Sequence, residues 1–131
     1  MTEFTKIGGL YKFADLQLEK LLARLVSSIN GISDGFLFST KSISAAYSVG
    51  KSDHCLLVTT TSGGVTVTLP AASAVPFKIF IVKKVTTDAN AVTIATAGGT
   101  IDGGATLAFT TSRGMRMVIS DGSNYAVIGQ I

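Results

Sequence analysis

The stretch Asp53-His-Cys-Leu-Leu-Val-Thr-Thr-Thr-Ser-Gly-Gly-Val-Thr-Val-Thr-Leu-Pro70 decides the fold class. His54 to Thr61 is rich in β-branched and aliphatic residues. Ser62-Gly63-Gly64 is a turn signal, and Val65 to Leu69 alternates strictly between apolar and hydroxyl side chains before Pro70 closes the run. Alternation with period two places Val65, Val67 and Leu69 on one face of a strand and Thr66 and Thr68 on the other. Two such runs around a glycine pair predict a β-hairpin.

The pattern continues to the end of the chain. Phe77 to Val85 reads as a long strand, Thr87-Asp88-Ala89-Asn90 as a turn, Ala91 to Thr96 as a strand and Gly98-Gly99 as a break. Thr100 to Gly104 gives a short extended piece and a turn. Strands follow at Ala105–Thr110, Met115–Ser120 and Asn124–Ile131, separated by Ser112-Arg113-Gly114 and Asp121-Gly122-Ser123. Short strands with turn signals every 8–12 residues predict an all-β domain, an antiparallel β-sandwich or barrel-like fold.

Toward the N-terminus the period changes. Leu18, Leu22, Leu25, Ile29 and Ile32 recur at spacings of four, three, four and three, which puts them on one helical stripe flanked by Leu21 and Val26. Asp15 is the expected N-cap and Gly31 the stop, so the sequence predicts one amphipathic helix over about Asp15 to Asn30. The stripe suits packing on the chain's own β domain, and it equally suits a seam between copies bundled about a symmetry axis. Ahead of it, Phe4, Ile7, Leu10, Tyr11 and Phe13 are interrupted by Gly8-Gly9 and read as a docking arm. The expected organisation is an arm over 1–14, a helix over 15–31, a connector over 32–46 holding one further strand, and a β domain over 47–131.

The 131 residues suit one compact domain with an appendage. Only 15% are charged, and the mean hydropathy is +0.48. An apolar surplus of that kind needs a membrane or a partner. The most apolar runs, Leu21 to Val26 and Phe77 to Val82, are far shorter than the ~20 residues of a spanning helix and contain Arg24 and Lys78. No basic start followed by an apolar run opens the chain, so the expectation is a protein made in the cytoplasm, with no membrane partner and its surplus directed to other chains. The net charge of +3 is spread thinly, +1 over residues 1–45 and +2 over 46–131, and Lys83-Lys84 is the only adjacent basic pair. Nucleic-acid binders concentrate basic residues on one face, so nucleic acid is not an expected partner.

No residue set points to catalysis. His54 beside Asp53, with any of several serines, makes a triad only on paper, because strand neighbours point to opposite faces and no G-x-S-x-G elbow is present. Asp88, Asp102 and Asp121 stand in turn contexts where aspartate accepts local backbone hydrogen bonds. One His and one Cys cannot build a zinc site, and the glycines at 98, 99, 103 and 104 lack the lysine and helix of a phosphate loop. Cofactors, metals and catalytic residues are therefore not expected. Cys55, in an apolar run, reads as a buried thiol. Tyr47, Tyr125, Arg113 and Arg116 are the residue types that line a shallow sugar site.

The β region also carries a resemblance. Asp53 to Pro70, Ile81-Val-Lys-Lys84, Asn90-Ala-Val-Thr-Ile94, Gly99-Thr-Ile-Asp-Gly103 and Ser120-Asp-Gly-Ser-Asn-Tyr-Ala-Val-Ile-Gly129, in this order and spacing, resemble a β module of tailed-bacteriophage virion proteins. Such modules occur in capsid decoration and head-fibre proteins and in tail-fibre or tailspike chains. One position departs from the pattern: Tyr125 stands where the module often has Trp. The resemblance covers about residues 47–131, and it implies an externally displayed homotrimer without enzymatic activity. For this chain it implies a trimeric decoration protein on the outer surface of the capsid, with the major capsid protein as partner. Phe4, Ile7, Leu10, Tyr11 and Phe13 would be the anchor, and Leu18, Leu22, Leu25, Ile29 and Ile32 the trimer seam. The alternative is a receptor- or carbohydrate-binding module of a tail appendage. The chain lacks the shaft repeats that separate anchor from tip in such fibres, which favours decoration.

Overall fold

A computed structural model describes residues 17–27 and 38–131. The chain divides into two units at Leu37/Phe38. In the first, residues 17–27 form a helix, α1, within the span expected from the leucine spacing. Its expected ends at Asp15 and Asn30 lie outside the described residues.

The second unit, Phe38–Ile131, is mainly β. Its strands are β1 (Thr40–Ile43), β2 (Tyr47–Ser48), β3 (Cys55–Val58), β4 (Val65–Leu69), β5 (Ile79–Lys84), β6 (Val92–Thr96), β7 (Thr106–Phe109), β8 (Met115–Ser120) and β9 (Tyr125–Gln130). A short 3-10 turn over Ala72–Ala74 lies between β4 and β5. The unit starts ahead of residue 47, because the strand expected in the connector, β1, belongs to it and pairs with β3.

Two sheets form, a five-stranded one in the order β1-β3-β5-β8-β9 and a four-stranded one in the order β2-β4-β6-β7. The sandwich class preceded by one helix therefore holds, but the sheets are mixed, and the expectation of antiparallel pairing throughout is corrected. β1, β3 and β5 are parallel neighbours in one sheet, and β2, β4 and β6 are parallel neighbours in the other. The chain crosses between sheets at each connection and coils three times before β7, β8 and β9 add antiparallel strands. β3 and β4 are thus not the two arms of a hairpin. Their glycine turn carries the chain from one sheet to the other. Parallel neighbours need a long crossover, and here the strand of the opposite sheet supplies it in place of a helix.

The core lies between the sheets and follows the alternation. Leu56 and Val58 of β3, Phe80 and Val82 of β5 and Val118 of β8 are fully buried, and they face Val65, Val67, Leu69, Val92, Ile94 and Phe109 of the other sheet. The two outer faces differ in kind. The four-stranded sheet turns Ser48, Thr66, Thr68, Thr93, Thr106 and two alanines outward. The five-stranded sheet turns outward Thr40 and Ser42 of β1, Cys55 and Leu57 of β3, Ile79, Ile81 and Lys83 of β5, Met115, Met117 and Ile119 of β8, and Ala126 and Gly129 of β9.

Candidate functional site

The richest polar constellation sits at one end of the sandwich, where β5 runs into the β5–β6 connection. The inward stripe of β5 is Phe80, Val82 and Lys84, and Lys84 is fully buried. Its Nζ donates to the carbonyl oxygens of Asp88, of Asn90 at 2.8 Å and of Thr110 at 3.1 Å, and it lies 3.4 Å from Asp88 Oδ1. The same carboxylate oxygen accepts from the Thr60 hydroxyl at 2.7 Å and the Asn90 amide at 3.0 Å. Thr60 Oγ1 is also 2.6 Å from Thr86 Oγ1, and Asn90 Nδ2 donates to the Thr60 carbonyl at 2.6 Å. The Thr60 hydroxyl above all, helped by Thr86, the Asn90 amide and Lys84, holds the Asp88 carboxyl well below the usual carboxylate range.

A buried ammonium survives only when its protons find acceptors and a counter-charge. Lys84 has three carbonyls and one carboxylate. All of its donors point into backbone from two connections, so the cluster is a staple joining the end of β3, the β5–β6 connection and the strand end after β7. Among the buried polar side-chain atoms of the cluster, Asp88 Oδ2 alone has no hydrogen-bond partner.

Most of the other sequence candidates are likewise held by partners inside the fold, though His54 Nδ1 and Arg116 Nε have none. Asp53 is buried, and its Oδ2 accepts from the Tyr47 hydroxyl and the Gly50 amide, both at 2.8 Å. The Gly50 amide, with Tyr47, Lys41 and Lys78 assisting, lowers the Asp53 carboxyl's pKa. His54 packs edge-on against Phe38, ring centroids 5.4 Å apart, and its Nδ1 has no hydrogen-bond partner. Asp53 and His54 therefore do not form a hydrogen-bonded pair. Asp121 accepts from the Ser123 and Asn124 amides at 2.8 and 2.7 Å, as its turn context predicts. Asp102 instead accepts from the Val127 amide across the fold, at 3.0 Å.

Tyr47, Tyr125, Arg113 and Arg116 do not stand together as one open face: Arg113 is exposed in its turn, but Tyr125 is buried. Tyr125 is 2% exposed, and its hydroxyl donates to the Pro70 carbonyl at 2.7 Å. Burial pushes its phenol up to about 12. Tyr47 is held by Asp53 with Lys41 Nζ 4.4 Å above its ring. Arg116 stacks 4.5 Å over Phe109 and donates to the Met115 and Ile131 carbonyls. Cys55 is half-buried on the outer face of β3, rather than sunk in the core as its apolar run suggested.

The remaining candidate is a surface. Leu18, Leu22 and Leu25 of α1 are 52%, 48% and 54% exposed, and Leu21 and Val26 beside them are similarly open. Ile29 and Ile32, the rest of the predicted seam, and the proposed anchor Phe4, Ile7, Leu10, Tyr11 and Phe13 lie outside the described residues. Among the described residues no group of three or more His, Cys, Asp or Glu is placed to hold a metal ion, and no helix is long and apolar enough to cross a membrane. Neither protein-family models nor curated protein sequences give a match to this chain.

Proposed function

We propose that the chain is a structural protein of a tailed-phage virion, a trimeric decoration protein of the cement or head-fibre type that binds the outer capsid surface through its N-terminal region and performs no catalysis. The observation that carries this reading is the open leucine stripe of α1. Five large apolar side chains on eleven described helical residues stand about half exposed on a single chain. The β unit supports the reading in another way, since its conspicuous polar side chains are spent on holding its own connections together.

The physical mechanism is burial of apolar area, worth about 25 cal/mol per Å2 before the cost of association. It acts first between copies along the stripe of Leu18, Leu22, Leu25, Ile29 and Ile32. It then acts between the arm and the major capsid protein, where three linked arms multiply a weak contact by avidity. Deleting residues 1–14 is expected to abolish binding to virions while leaving the β-rich circular dichroism spectrum unchanged. A truncated chain that still decorates particles would remove the anchor role from the arm.

A further inference from the structure

Phe77 holds a backbone conformation that its side chain disfavours. The turn Val75-Pro76-Phe77-Lys78 closes with a bond from the Lys78 amide to the Val75 carbonyl at 3.2 Å, and Phe77 has φ +63°. Proline at the second position and positive φ at the third are the pattern of a type II turn, whose third position ordinarily takes glycine or asparagine. A bulky side chain there is an outlier. Packing inside the fold does not offset the strain, because Phe77 is 76% exposed. The turn is held through the backbone, where the Phe77 amide donates to the Ser120 carbonyl at 2.9 Å, a bond that glycine would make equally well. A strained residue whose ring the fold does not use points to a contact outside the chain. We infer that the Phe77 turn is a second contact with the major capsid protein, the ring being a peg for an apolar socket on that partner. This rests on the decoration reading above.

Topology and surroundings select this occupant. β1, β3 and β5 are parallel, and Thr40, Cys55 and Ile81 stand in one register row. Phe77, just ahead of β5, therefore lies at the end of the sandwich where the chain enters β1 from residues 1–37. Whatever that N-terminal region binds is tethered nearest to this end. Around the ring, Pro76 and Ile79 are also exposed. Beside them stand Lys51, whose carbonyl takes the Lys78 ammonium, and the Asp121–Asn124 turn, whose Gly122 approaches the Pro76 ring. An exposed aromatic with apolar neighbours inside a polar rim has the anatomy of a protein-protein hot spot, in which one buried ring carries much of the binding energy. A sugar site would pair its ring with free hydrogen-bonding groups. Here Lys78 Nζ is bonded to Lys51 and lies 5.1 Å over the Phe80 ring, and Asp121 Oδ1 is taken by amides of its own turn.

The test compares full-length chains for thermal unfolding and for binding to virions stripped of the protein. Phe77→Gly removes the ring and relieves the positive φ. It is expected to unfold at or above the wild-type temperature while its affinity for particles falls about tenfold or more. Arg113→Gly is the control: Arg113 is an exposed residue with φ +52° whose carbonyl takes Lys83 Nζ toward the other end of β5, and its loss is expected to leave binding unchanged. Phe77→Gly chains that bind like wild type overturn the inference and leave the decoration reading standing. So does an equal loss of binding in Arg113→Gly, or a clearly lower unfolding temperature for Phe77→Gly, since the ring would then serve the fold. A wild-type chain that does not bind particles removes the inference together with the decoration reading. A photoreactive benzophenone side chain at position 77 is expected to cross-link to the major capsid protein on the particle. Cross-linking only to another copy of this chain contradicts the inference.

Discussion

Lys84 shows how one side chain can look like surface charge and act as structure. It belongs to the only adjacent basic pair in the chain, yet strand alternation sends Lys83 outward and Lys84 into the end of the core. Truncation to alanine strips donors from three carbonyls and a counter-charge from Asp88. An unsatisfied buried polar group costs about 1–3 kcal/mol, so Lys84→Ala is expected to lose about 3 kcal/mol or more in urea unfolding. Asp88 supplies the pH dependence. Its folded pKa is depressed, so its contribution is fully present above the unfolded value of about 3.9 and is lost as pH falls below that toward the folded one. Wild-type stability should therefore drop on acidification below about pH 4, and Asp88→Asn should be less stable at neutral pH with a flatter acid limb. Tyr125 works with the opposite sign. Its phenol is raised to about 12, so its contribution is full below the unfolded value of about 10 and is lost as pH rises through the folded one. In an alkaline absorbance titration one tyrosine should ionise only near 12 or with unfolding, and Tyr125→Phe should cost about 1 kcal/mol by losing the bond to Pro70.

At the scale of elements, the faces of individual strands were legible and their partners were not. Val65, Val67 and Leu69 point inward as their alternation dictates, and the Asp121 turn closes with the local bonds that its sequence context predicts. Ser62-Gly63-Gly64, however, serves a crossing between sheets as well as it would serve a hairpin, and composition does not separate the two. The choice is made by long-range packing, when β3 and β5 align their Leu56 and Val82 rows. The stripe Phe80-Val82-Lys84 carried the signal for the buried lysine, since the same period that buries the first two residues buries the third. Asp102 gave no such signal, because its partner Val127 is distant in sequence. The Gly98-Gly99 break was legible, and the structure explains it. Gly99 has φ +90°, and a Cβ there would stand 2.4 Å from the Ser123 carbonyl oxygen. Gly99→Ala is expected to cost about 2 kcal/mol or more and to lower the midpoint of thermal unfolding, because both the positive φ and the contact oppose it. In hydrogen exchange, β5 and β8, paired on both sides, should be the last amides to exchange, and edge strands β1 and β2 should be among the first.

At the scale of the whole molecule, the apolar surplus of the composition resolves into surfaces of different kinds. One sandwich face is neutral hydroxyl and ready for water. The opposite face is mostly aliphatic and sulfur-bearing with Lys83 among its rows, and the leucine stripe of α1 stands about half exposed. The trimeric knob proposed above would give both apolar stretches a partner. The mass of the full chain in solution tests the trimer. Light scattering on a chromatographed sample at micromolar concentration is expected to give about three times the chain mass of 13.5 kDa. A stable particle of 13.5 kDa would overturn the trimeric assembly.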